Sequence, residues 1–203
     1  MQRIRTAAST LALACGTLLS ACTTAKPSTA ETPPSTSDEA INELPSYGAP
    51  KVDRPLDISQ FLKAPCDSLA RETAEEFLGT AQPVQNSDTG AGPSCNWYTS
   101  TSNASMHVTF VQLDNMGLTS LYRNMAGYEF FEEIDSSADY PTVAYGVNDN
   151  RDHGECTVRV GTSDQESTDV TVFLSDDRVG RLDPCEAAHE VATAVIGNIK
   201  ARN

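Results

Sequence analysis

The amino-terminal leader constrains this chain more than any later segment, because it sets the redox conditions under which everything after it must fold. Met1 to Thr10 carries Arg3 and Arg5 and no acid, and an apolar run from Leu11 to Leu19 follows. A basic segment feeding a short apolar one is the pattern of a secretory signal peptide, expected to occupy residues 1–21. The run falls well short of the roughly 20 apolar residues a membrane-spanning helix needs. An exported chain meets oxidising conditions, so Cys66, Cys95, Cys156 and Cys185 are expected to form two disulfides. Of the three possible connectivities, Cys66–Cys95 with Cys156–Cys185 is preferred, because each then closes a loop within one half of the domain. In the chain-entropy picture each such loop contributes about 3.5 kcal/mol. A structural zinc site is disfavoured, since no pair of these cysteines has the C-x-x-C spacing.

Leu19-Ser-Ala-Cys22 resembles the lipobox of bacterial lipoprotein signal peptides. The resemblance implies a diacylglyceryl group on the Cys22 sulfur, cleavage just before it, and acylation with chains such as palmitate. Cys15 is a poorer acceptor, because Ala12 stands where leucine is expected and the apolar run before it is too short. Each buried methylene contributes about 0.8 kcal/mol, so two or more acyl chains anchor stably where one binds only marginally. The expected address is the extracytoplasmic face of the cell membrane.

Residues 22–53 are rich in Thr, Ser, Pro and Ala, with few large apolar side chains. Such a segment buries too little surface to offset its ordering entropy, so a lipidated, disordered tether is expected. Its reach is on the order of 30 Å, extended where Pro34, Pro45 and Pro50 stiffen it. The whole chain has 14 basic and 28 acidic residues, net −14; loss of Arg3 and Arg5 with the leader carries the mature charge to −16. That sign argues against nucleic acid as a partner and against electrostatic adsorption to anionic lipid.

Residues 54–203 form one domain's worth of chain with mixed patterning. A first helix is expected from Ser68 to Leu78, with Gly79 as its stop, and a short second one around Leu118, Leu121, Tyr122 and Met125. Strand patterns occupy 95–100, 105–113, 142–147, 156–161 and 169–174, and their close spacing favours antiparallel pairing. The last helix has the strongest signature: Asp183 as N-cap, Pro184 at the first position and Glu186 at the third. Ala188, Val191, Ala192, Val195, Ile196 and Ile199 then make one apolar stripe. The expected fold is α+β, an antiparallel sheet with helices packed on one face.

Arg54-Pro-Leu-Asp-Ile-Ser, Ala64-Pro-Cys-Asp-Ser-Leu, Gly92-Pro-Ser-Cys-Asn-Trp97, Tyr140-Pro-Thr-Val143, Cys156-Thr-Val-Arg-Val160 and Asp183-Pro-Cys185 occur in this order along the domain. Their succession resembles the landmarks of the actinobacterial lipoprotein family known as domain of unknown function 3558. That resemblance implies an extracytoplasmic lipoprotein and no assigned chemistry.

Catalytic and metal sites find little support in the residues. His107 lies in a strand pattern and is expected to face solvent; His153 sits in an acidic loop, and His189 borders the apolar stripe of the last helix. No Gly-x-Ser-x-Gly elbow accompanies them. Asn148 to Glu155 places oxygen ligands at alternate positions, but its glycine comes one residue late for an EF-hand and Arg159 stands where the bidentate glutamate belongs. Glu129, Glu132, Glu133 and Asp135 flank Phe130-Phe131, as acids at the edge of a strand or helix do. Trp97 reads as core. No cofactor, metal or catalytic residue is therefore assigned. The expected function is a non-catalytic binding or accessory module of the cell envelope, engaging an envelope protein or a small ligand. The alternative is an envelope hydrolase whose site assembles only in the fold, and a cleft holding a histidine beside a serine or acid would favour it.

Overall fold

The computed structural model describes residues 43–86 and 90–203. The expected signal peptide, Cys22 and most of the expected tether lie outside the described residues. Four α-helices, α1 (Ser59–Lys63), α2 (Arg71–Leu78), α3 (Thr119–Arg123) and α4 (Pro184–Lys200), accompany seven strands: β1 (Gln82–Asn86), β2 (Ser94–Tyr98), β3 (Ser105–Val111), β4 (Phe130–Ser137), β5 (Tyr140–Gly146), β6 (Glu155–Gly161) and β7 (Ser167–Phe173). The strands form one antiparallel sheet in the order β1-β2-β3-β7-β6-β5-β4. Among the described residues no helix is long and apolar enough to cross a membrane.

Period-two alternation sorts the strand residues onto two faces. Trp97, Met106, Val108, Phe110, Ala144, Val158, Val160, Val170 and Val172 point to the first face and build the main core with α4, α1 and the chain leading into α2. The α4 stripe read from sequence is buried throughout. Sealing Val191, Val195, Ile196 and Ile199 contributes roughly 1.5–3 kcal/mol for each side chain, which holds this helix on the sheet. Asp183 caps it as expected: its Oδ1 accepts from the backbone N–H of Cys185 at 2.7 Å and of Glu186 at 3.3 Å. The first expected helix begins later than Ser68, because Pro65–Ser68 is a separate 3-10 turn and Leu69 is extended.

The second face carries Val143, Tyr145, Phe131, Arg159 and Asp169, and α3 covers part of it through Leu121 and Tyr122. Among the described residues three of the four α-helices therefore serve the main core and α3 covers the other side. Both edge strands are guarded. Of the five β1 residues four are exposed, and Pro83 lies among them, while β4 bears Glu132, Glu133 and Asp135. Proline and charge at a sheet border oppose pairing with another chain.

The end of the expected tether is corrected. Residues 43–53 are not free chain: Ala49 and Val52 are buried, the Ser46 N–H donates to Thr119 Oγ1 at 3.1 Å, and the Val52 N–H donates to Asp164 Oδ1 at 2.8 Å. Sequence composition hides this because two small apolar side chains and two backbone donors suffice to dock the segment, and neither leaves a periodic trace. The domain thus takes in Ser46 to Asp53 and does not start at Arg54.

Candidate functional site

Cys66–Cys95 and Cys156–Cys185 are both disulfide-bonded, each spanning 29 residues, which is the connectivity preferred from sequence. The first ties the 3-10 turn before α2 to β2. The second ties the start of α4 to the start of β6. Both bridges therefore lock a helical segment to the sheet on its first face.

Between those helices the molecule opens a cleft of about 530 Å³. One wall is the last turn of α2 with Phe77, the other the first turns of α4 with Ala187 and Val191, and the floor is Met106 and Val172. Leu174 to Leu182 closes one end. This connection is a built wall: the backbone N–H groups of Arg178 and Val179 donate to Ser175 O at 2.8 and 3.2 Å, and that of Leu182 donates to Arg178 O at 3.1 Å. Gly154 supports it from beneath at φ +82°, where an added Cβ would stand 2.8 Å from Val179 Cγ2. Phe77 and Leu182 are 38% and 46% exposed, so apolar surface remains uncovered at the mouth. A volume of several hundred Å³ with apolar lining and a few polar groups is the form of a small-molecule site.

The rim is acidic. Asp177 and Arg178 are paired at 3.6 Å. The Ser175 side chain beside Asp177 holds its carboxyl below the usual carboxylate range, with Arg178 adding to the effect. Glu76 on α2 and Glu190 on α4 are both exposed, and among the described residues neither carboxylate has an ion-pair or hydrogen-bond partner.

The sites weighed from sequence fall elsewhere. The Asn148 to Glu155 loop and two of the Glu129 to Asp135 acids, Glu129 and Glu132, do come together, but around a guanidinium, while Glu133 accepts from the Tyr122 hydroxyl at 2.7 Å. Arg151 binds Asp149 through Nη2 at 2.7 Å and Glu132 through Nη1 at 2.8 Å, and its Cζ lies 4.2 Å from the centre of the Phe130 ring. Glu129 accepts from the Asp149 N–H at 2.8 Å, and Asn150 donates to Glu155 at 2.9 Å. These acids are thus engaged in closing the loop, and no group of three possible metal ligands occurs among the described residues. Trp97 is core, at 2% exposure.

The histidines are dispersed. His153 is exposed in a 3-10 turn, and His189 borders the α4 stripe as expected. His107 departs from expectation: it does not simply face solvent but is half-buried, its ring 5.7 Å from Tyr98 and 5.2 Å from Phe173. Burial pushes its pKa down, partly opposed by the charge of Glu155. Among the described residues no histidine hydrogen-bonds a serine or a carboxylate, and none lines the cleft.

The second face holds a network that sequence reading missed. Arg159 donates to Asp169 through Nε and Nη2, at 2.6 Å each, and through Nη2 to the Tyr145 hydroxyl at 3.0 Å. That hydroxyl in turn donates to Asp169 Oδ2 at 3.0 Å. Burial works against the guanidinium's charge, but the Asp169 carboxylate outweighs it and holds the Arg159 pKa above its usual value. Burial and the same carboxylate push the Tyr145 hydroxyl up. The three groups satisfy one another beneath α3, which is the work of a structural clamp.

A family model described as a protein of unknown function (DUF3558) matches residues 17–198. The chain belongs to this family. The match takes in both disulfides, the cleft and the buried clamp of this DUF3558 protein. No curated protein and no solved structure matches it.

Proposed function

We propose that this DUF3558 protein is a membrane-anchored lipoprotein of the extracytoplasmic face, acylated at Cys22 with palmitate or a similar chain. Its folded head is a non-catalytic binding or accessory module of the cell envelope. The cleft between α2 and α4 carries this reading: apolar side chains make up the larger part of its lining, it is open at the mouth, no histidine among the described residues lines it, and its α4 wall is tied to the sheet by Cys156–Cys185. The leader pattern and the lipobox resemblance at Cys22 support the anchor, and four cysteines paired in two disulfides suit an oxidising compartment. The mature charge of −16 that follows from the composition keeps the head off anionic lipid and away from nucleic acid.

Two measurements test it. Radiolabelled palmitate should enter the wild-type protein in living cells and not a Cys22→Ala variant; equal labelling would remove the anchor from the proposal. The neutral probe N-phenyl-1-naphthylamine should brighten on the full chain, and Ala187→Phe should abolish the signal by filling the cleft. Unchanged brightening in that variant would place the apolar site elsewhere.

A further inference from the structure

The cleft has a charge preference written into its rim, and it concerns the same site as the binding reading, on which it rests. We infer that the occupant is a small organic cation with an apolar body, such as an arylalkylammonium, its apolar part against the uncovered Phe77 and Leu182 and its charge between Glu76 and Glu190. Three observations converge. Phe77, Leu174, Leu182 and Ala187 give the cleft an apolar lining beside its acidic rim, and no group of three possible metal ligands occurs among the described residues. Asp177 and Arg178 neutralise each other, which leaves Glu76 and Glu190 as the charges at the mouth that are unpaired among the described residues, one on each wall. The last turn of α2, which forms one wall, carries no basic residue to offset the partial negative charge of its carbonyl end. The unpaired carboxylates and the α2 carbonyl end attract a cation and repel an anion, and the apolar lining selects among cations for one with a hydrophobic body.

The test uses three ligands that share one apolar body and differ in charge: 4-phenylbutylammonium, 4-phenylbutanol and 4-phenylbutyrate. They are titrated calorimetrically into the purified full chain at low salt. The cation is expected to bind roughly tenfold more tightly than the alcohol, as two nearby exposed carboxylates would provide, with the carboxylate ligand weakest. Glu76→Gln combined with Glu190→Gln should bring the cation's affinity down to that of the alcohol, and the alcohol's own affinity should not move. Raising the salt should erode the cation's advantage in the wild type only. Equal affinities for all three ligands, each lost in Ala187→Phe, would overturn the cationic assignment and leave the binding cleft standing. Absence of binding by any of the three, or binding that Ala187→Phe leaves intact, would overturn both.

Discussion

Arg159 and Asp169 stand directly opposite each other on β6 and β7, joined through two hydrogen bonds of 2.6 Å and almost closed off from solvent, with side chains 9% and 15% exposed. Such a pair costs desolvation to build, and that cost is recovered only while both partners remain. Arg159→Met should therefore destabilise the domain by about 3–5 kcal/mol, since it strands a buried carboxylate. The double variant Arg159→Met with Asp169→Leu should recover much of the loss. Urea denaturation of the oxidised protein measures both, and a loss in the double variant equal to that in the single one would show that the pair is worth more than its desolvation.

The disulfides act mainly on the unfolded chain. Replacing Cys156 and Cys185 with serine should cost about 3.5 kcal/mol, and replacing Cys66 and Cys95 a similar amount, because the two loops have the same length of 29 residues. Only the first of these changes frees the start of α4, so it alone should also weaken N-phenyl-1-naphthylamine binding at the α4 wall.

His107 supplies a pH dependence whose sign follows from its burial. Its folded pKa lies below the ordinary 6.5, so the unfolded chain binds a proton that the folded chain resists. Stability should be unaffected by this group above 6.5 and should fall as the pH drops through 6.5 toward the folded value. His107→Gln should flatten that part of the profile. Urea midpoints at pH 7.5 and pH 5.5, compared between the two proteins, decide it.

The two-residue turn between β4 and β5 is built from Ala138 at φ +50° and Asp139 at φ +79°, a conformation that suits glycine or asparagine better than alanine. Ala138→Gly should stabilise the domain by about 0.5–1 kcal/mol, read as a rise in the denaturation midpoint. No change would mean that the methyl group's packing offsets its backbone strain.

Much of this architecture was legible because its causes are local or periodic. The Asp183-Pro184 start and the apolar stripe announce α4, and the alternation of Val170 and Val172 announces β7. The disulfide pairing followed from loop closure. β1 was missed because Gln82 to Asn86 is polar, contains Pro83 and lies at an edge where almost nothing is buried. The clamp was missed because Arg159 and Asp169 are ten residues apart in sequence and meet only through the register of β6 with β7. The cleft was illegible for the same reason: Glu76, Met106, Val172 and Glu190 come from four elements, and no spacing in the chain predicts their convergence.

The docked segment before Arg54 also fixes where the chain enters the domain. Ser46 and Val52 are held at Thr119 and Asp164, by α3 and the hairpin that joins β6 to β7, whereas the cleft sits at the far end of β7. Seven residues of strand put roughly 20 Å between the two. A load on the chain just ahead of Ser46 therefore enters the domain at the heel of the sheet, one strand length from the cleft.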